Sequence, residues 1–510
     1  MDTVIIKTET EQCLNELRTN KLTLTAEKAT AYACLAVSHF FEYNKAIGKS
    51  FRPAIEILCE LNTHPDTEIA RIGLSALFPN LIEKLNDSFT PRNCELYDHV
   101  FAQVISFCCQ LPEGSALKAA LDQVGIKDET AILVRKFKLN QRLQKLSPDR
   151  KMKKILVLSR VTIGADIAVT SVIISHLKQQ FPATELVILG SPKLTELYGG
   201  DLQIRVREIN YGRSSSLIAR LNIWLEVKAA VQAEVLGLDP DQFCIFDPDS
   251  RLTQLGLLPL VKPDIESGCY YFFESRSFLY PEPQKIGQLT SSWMNEVLGI
   301  TCQHFPFISL SAKSLSRGQE IADQLRSNDE RRIISLSFGV GGNLTKRISE
   351  EFENELLQVL LNDSIVILDK GASTEETESV NRVVSLLQNQ RKTIVELNEQ
   401  NYPSTLNVNL QQPDLVVWQG SIGSFASFIA SSDEYLGYDS SGQHLAAALG
   451  VPSITIFVNS GNEIFAQRWQ SSGAGRTEII PLESSQIHSN PQLTKLIIQR
   501  ILQLHQSFNC

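Results

Sequence analysis

The chain has 510 residues, 43% of them hydrophobic and 21% charged, and a formal net charge of -9. These proportions describe an ordinary globular protein of two or three domains, each able to bury its own core. They exclude a general nucleic-acid binder, which needs a basic, aromatic-studded stripe, and the longest apolar runs fall short of the roughly 18 residues that a membrane span requires. The ten cysteines make no C-x-x-C pair and read as reduced, mostly buried thiols of a reducing compartment. The opening MDTVIIKTETEQ has acids where a secretion signal needs basic residues. A cytoplasmic location is the expectation.

Residues 1–150 read as an all-α domain. Apolar residues recur at three and four spacings over 31–41, 55–61, 74–85, 100–111 and 117–124, with breaks at Gly48, Pro53, Pro65, Pro79, Pro91 and Pro112. Such a domain serves packing, oligomerisation or acceptor binding. A basic segment follows: Arg135, Lys136, Lys138, Arg142, Lys145, Arg150, Lys151, Lys153 and Lys154. It reads as a solvated linker helix, with a patch for an anionic acceptor or a membrane surface as the alternative.

From Lys154 strands and helices alternate. Strands are expected at 155–159, 185–189, 204–209, 243–246 and 270–273, and helices at 167–180, 214–236 and 291–298. A second set has strands at 333–337, 365–368, 393–397, 415–418, 435–438 and 454–458, and a closing helix at 493–504. Such alternation predicts βαβ units on parallel sheets. The fold class is therefore α/β: two Rossmann-like, doubly wound domains, 151–315 and 316–510, behind the all-α domain. Ligands of such domains sit at the carboxyl ends of strands.

Several turns at those ends carry chemistry. Asp166 lies at the mouth of the first strand, in Arg160-Val161-Thr162-Ile163-Gly164-Ala165-Asp166. A carboxylate there suits a general base; it suits equally the N-cap of a helix beginning at Ile167. The stretch Ser337-Phe338-Gly339-Val340-Gly341-Gly342-Asn343-Leu344-Thr345-Lys346 offers backbone N–H groups and a lysine to phosphate, or is a glycine-rich turn with a solvated lysine. It is neither a Walker A loop nor a dinucleotide fingerprint. In Phe246-Asp247-Pro248-Asp249-Ser250-Arg251 the acids lack a third metal ligand, so Asp249 and Ser250 read as caps and Arg251 as an acceptor contact. Ser421, after Trp418-Gln419-Gly420, reads as an N-cap. The segment 433–460 reads as a strand ending in Asp439 and a polar turn, Ser440-Ser441-Gly442-Gln443. A helix then opens at His444, Gly450 and Pro452 stop it, and a further strand follows. A hydroxyl-rich turn before a helix is a diphosphate seat or an ordinary capped turn.

Asp439-Ser440-x-x-x-His444-Leu-Ala-Ala-Ala-Leu-Gly450-x-Pro452 and its following strand resemble the nucleotide-sugar motif of the heptosyltransferases, glycosyltransferase family 9. Those enzymes build the lipopolysaccharide inner core from ADP-heptose. The resemblance covers residues 153–510. It implies a GT-B fold and inverting transfer of a sugar from a nucleotide diphosphate to a hydroxyl of a glycolipid, glycan or protein. Asp166 would be the base, with Arg160 where the family has a lysine. Lys346, Asp439, Ser440, Ser441, Gly442 and His444 would surround the diphosphate, and Glu375 or Glu376 the nucleoside, unless those two acids only offset their helix dipole. Trp418-Gln419-Gly420-Ser421 would lie near the base. This chain has Ser441 where the family has glycine, Ala165 likewise with Gly164 one place earlier, and Gly341 and Gly342 in place of hydroxyl residues. The resemblance implies no metal, no cofactor besides the donor, and no nucleic-acid partner. It allows peripheral contact with the inner membrane and an oligomer. The rivals are a non-catalytic glycan- or protein-binding module, an epimerase, and a protein glycosyltransferase using another nucleotide sugar.

Overall fold

The computed structural model describes residues 3–508 except 142, 213–215, 278–283, 328, 372, 402–412, 460–461 and 488–490. Arg142, Ala372 and the expected helix start at Ser214 lie outside the described residues. Among the described residues no helix is long and apolar enough to cross a membrane.

The regular elements of 3–140 are helices, chiefly Thr3–Thr19, Ala26–Ile47, Arg52–Asn62, Thr67–Leu77, Pro91–Cys108, Ser115–Asp122 and Glu129–Asn140. Their ends follow local chemistry. Asp66 accepts from the N–H groups of Glu68 and Ile69, Pro91 opens its helix at the first position, and Gly48 closes Ala26–Ile47 at φ 77. The first helix escapes pattern reading because Thr10 and Cys13 fill its buried stripe beside Ile6, Leu14 and Leu17.

Among the described residues the strands are β1 Lys154–Leu158, β2 Glu185–Gly190, β3 Ile204–Glu208, β4 Phe243–Asp247, β5 Tyr270–Phe272, β6 Arg332–Ser337, β7 Ser364–Asp369, β8 Ile394–Asn398, β9 Leu415–Gln419, β10 Glu434–Tyr438, β11 Ser453–Asn459 and β12 Thr477–Glu483. They form a five-stranded sheet of order β3-β2-β1-β4-β5 and a seven-stranded sheet of order β12-β11-β10-β6-β7-β9-β8. β1 pairs in parallel with β4, and β4 with β5. The six neighbouring pairs of the larger sheet are parallel as well. Both orders are those of doubly wound α/β folds. The chain starts in mid-sheet, winds outward to one side, then returns to the other, leaving a switch point between β1 and β4 and another between β6 and β10. The inner strands of the larger sheet are near-continuous apolar runs, as two helix-covered faces demand. Their core includes Leu336, Leu368, Val417, Leu436, Ile454 and Ile456. The outer strand β12 is only partly buried and carries Pro481 within its short apolar run, which hid it from the sequence reading.

The chain divides into two compact units: residues 1–161, 189–191 and 207–279, and residues 162–188, 192–206 and 280–510. In the first unit the helices are fastened to the β4–β5 region by buried ions. Lys136, 1% exposed, reaches Glu274 and the carbonyl of Leu255; Arg135 reaches Glu266 and the carbonyl of Gly256. Burial would raise the Glu274 carboxyl, and Arg276 and Lys136 outweigh it, holding it at about 2. The solvated linker helix expected for this basic segment is thus corrected for Arg135 and Lys136, whose carboxylate partners lie more than a hundred residues away.

Candidate functional site

Each switch point carries the same device, a cation from the loop after the first strand paired with an acid from the loop after the strand across the switch. In the first unit Arg160 binds Asp249 at 2.8 Å and the hydroxyl of Ser275 at 2.7 Å. Asp249 sits at φ 44 and is no cap; Ser250 is one, accepting from the Leu252 N–H. Arg251 donates to the Tyr97 hydroxyl at 3.2 Å. Beside them a cavity of about 400 Å³ is lined by Ser159, Val161, Ser191, Asn210, Tyr211 and Leu252 among others. It opens at the carboxyl ends of β1 to β3, where a doubly wound sheet takes its ligand.

In the second unit Lys346 donates to Asp439 Oδ2 at 2.5 Å and lies 5.4 Å from the Phe465 ring centre. The lysine comes from a 3-10 turn, Leu344–Lys346, after the glycine loop; the following helix starts at Glu350. Gly341 and Gly342 adopt φ 63 and 85 and face open space, the conformation and room a backbone needs to approach an anion. Asp439 also accepts from Gln443 Nε2 at 2.6 Å. Asp439 thus ties Lys346 and Gln443 together.

The helix after Asp439 is Ser441–Leu449, with Ser440 as N-cap; it opens three residues before the expected His444. Ser440 Oγ takes the Gly442 N–H at 3.4 Å. First-turn amides of any helix lack intrahelical acceptors and favour an anion. The glycine shift in this motif has a steric cause. A Cβ on Gly442 would stand 1.9 Å from the Tyr435 hydroxyl, so the residue without a side chain is needed at 442, while Ser441 is half-exposed. His444 is buried at 4% exposure. Burial, then the charges of Lys346 and Lys285, push its imidazole down to about 3. It is neutral near pH 7 and offers a hydrogen bond rather than a charge.

Asp166 belongs to this unit. Its helix begins at Ile163, not Ile167, with Asp166 opening a π-helical turn to Thr170. It therefore cannot be the N-cap. Its Oδ1 accepts from Thr170 Oγ1 at 2.8 Å, and the side chain is 1% exposed. The preceding residues rest on the helix Ser441–Leu449. A Cβ on Gly164 would lie 3.1 Å from His444 Cδ2 and 3.5 Å from Ser441 Cα. Glycine at 164 gives this approach its room.

The remaining residues divide. Glu375 is exposed in the first turn of the helix Thr374–Asn389, whereas Glu376 closes a capping box with Ser373. Ser421 caps Ile422–Ser431, and the start of that helix is already taken by protein carboxylates: Glu399 accepts from Ser421 N and Glu196 from Gly423 N. The sequence reading missed Asp369, at the carboxyl end of β7. It accepts from Ser337 Oγ and Gly371 N, and burial raises its carboxyl to about 6. An acid closing an apolar strand run was the available signal.

No protein-family model matches the sequence, and no curated protein sequence does. Among solved structures, the chain is similar to a glycosyl transferase family 9 protein from Veillonella parvula, with 13% identity over 71% of this chain and 98% of that one, TM-score 0.48. It is similar to E. coli heptosyltransferase WaaC with ADP, at 14% identity over 69% and 100% of the two chains, TM-score 0.43. It is also similar to the E. coli ADP-heptose LPS heptosyltransferase II, at 12% identity over 70% and 100%, TM-score 0.44.

Proposed function

We propose that the chain is an inverting glycosyltransferase that moves a sugar from a nucleotide diphosphate, heptose from ADP-heptose as the first choice, onto a hydroxyl of a glycolipid, glycan or protein. One observation carries the reading: the turn bearing Asp166 packs, through Gly164, on the N-terminus of the helix whose cap region holds Lys346. On this reading an acid and an anion seat would share one place.

Lys346 and the first-turn amides of Ser441–Leu449 would hold the diphosphate and offset the charge that grows as it departs. Asp439 keeps Lys346 in place, and neutral His444 adds a hydrogen bond. Asp166 would take the acceptor proton as the hydroxyl attacks the anomeric carbon; a dry, rigid site strengthens every electrostatic contact of that step. Asp369 or Glu375 would meet the nucleoside.

A non-catalytic binding module is the second reading, favoured by the burial of Asp166. Thermal shifts with ADP-, GDP-, UDP- and TDP-sugars, paired with release of free nucleotide, test both. A shift of several degrees with one donor, lost in Lys346→Ala, supports the donor site. A shift without nucleotide release on any acceptor favours the binding module, and no shift with any donor removes the proposal.

A further inference from the structure

Two imidazoles and a thiol converge in the second unit at a place that the candidate site does not use. His176 lies on the helix Ser171–Gln180; Cys302 and His304 follow the helix Ile286–Leu298. Their donor atoms all fall within 4.8 Å of one another, and His176 Nδ1 is 3.4 Å from Cys302 Sγ. A tetrahedral cation bound at about 2.0–2.3 Å sets its ligand atoms roughly 3.3–3.8 Å apart. One edge already has that length, and the rest close with about 1 Å of movement.

The outer partners aim the donors inward. Ser291 Oγ sits 2.9 Å from His176 Nε2 and donates to the carbonyl of Cys302. In the tautomer that metal binding selects, the hydroxyl accepts from Nε2–H and His176 Nδ1 turns a lone pair toward the sulfur. Gln179 Oε1, an acceptor 2.7 Å from His304 Nε2, fixes that proton likewise and frees Nδ1 of His304. Asn295 grips the Cys302 backbone at both ends, accepting from its N–H at 3.2 Å and donating to its carbonyl at 2.8 Å. Ligating histidines are characteristically oriented through the second nitrogen in this way. His176 is fully buried, while Cys302 and His304 are partly exposed, which leaves an entry path and a fourth position for water.

We propose that His176, Cys302 and His304 bind one zinc-class divalent cation, with water as fourth ligand, which staples the segment after Ile286–Leu298 to the helix Ser171–Gln180. On binding, the thiol proton passes to solvent as the sulfur–metal bond forms. Two imidazoles and a thiolate are the borderline-soft set that Zn²⁺ takes tetrahedrally. The site is independent of the proposed transferase activity.

The full chain, stripped with chelator and dialysed, is titrated with Zn²⁺, and separately with Co²⁺ under an absorption spectrometer. One equivalent of zinc should bind, cobalt should show a near-ultraviolet thiolate charge-transfer band, and the melting temperature should rise on zinc addition. Cys302→Ser and His304→Ala should each weaken zinc at least about tenfold, while Cys34→Ser, at an exposed thiol elsewhere, leaves it unchanged. His304→Ala decides the matter if the Cys302 variant fails to fold. Zinc uptake equal in wild type and His304→Ala, no uptake, or a cobalt spectrum without the sulfur band overturns the site.

Discussion

Gly442 shows how a single side chain governs the candidate site. Its Cα rests against the Tyr435 hydroxyl, so Gly442→Ala places a methyl 1.9 Å from a buried atom of a strand residue that cannot withdraw. Overpacking of this kind costs about 1–3 kcal/mol, and thermal unfolding of Gly442→Ala should show that loss. Gly164→Ala meets only a ring carbon at 3.1 Å and should cost less than Gly442→Ala. Asp369 supplies a pH test at the same scale. Its folded carboxyl is raised from 3.8 to about 6, so the fold favours the protonated form. That contribution is full below 3.8 and is lost as pH rises through about 6. Asp369→Asn lacks this loss. Its stability relative to wild type should improve by about 2 kcal/mol across that window, partial exposure discounted, in paired denaturation curves. A gap independent of pH would contradict the assignment.

At the scale of elements, the buried ions of the first unit make the sharpest demand. Lys136→Met leaves Glu274 without one of its two cations and should cost about 3–5 kcal/mol. Lys138→Met, two residues on and exposed, should change stability by less than about 0.5 kcal/mol. Chemical denaturation distinguishes them. The contrast also marks where sequence reading stops. Parallel strands were legible because a strand covered on both faces is an apolar run: β6, β7, β9, β10 and β11 fell within a residue or two of expectation. Lys136 was not legible, because a charge run predicts solvent unless its partner is known, and Glu274 lies 138 residues away. β12 and the helix Thr3–Thr19 were missed for lack of a clean period. The turn at 439–442 was recognisable from its motif, yet the reason for Gly442 lies in Tyr435, seven residues upstream and in contact only once β10 and the helix are formed. Asp166 stood out as a strand-end acid; that it opens a π-turn rather than caps a helix is a backbone detail without local sequence signal.

For the whole molecule, the division into units has a consequence for truncation. The helices of 1–140 share a compact unit with β1, β4 and β5, joined by Arg135–Glu266 and Lys136–Glu274. A fragment starting at residue 151 loses Arg135 from Glu266 and one of the two cations of Glu274, and uncovers the surface those helices pack on; it is expected to be insoluble or to lack a cooperative melt, and a fragment folding as well as the full chain would show those helices to be dispensable. The account as a whole turns on one acid acting beside one anion seat. The measurement that reaches it most directly is steady-state release of nucleotide by wild type and Asp166→Asn, from the nucleotide sugar that stabilises the chain best and in the presence of acceptor, with donor affinity measured alongside. If Asp166 is the base, Asp166→Asn loses roughly 10²–10⁴-fold in turnover while binding donor as wild type does. Turnover within a few-fold of wild type, at equal donor affinity, would contradict it.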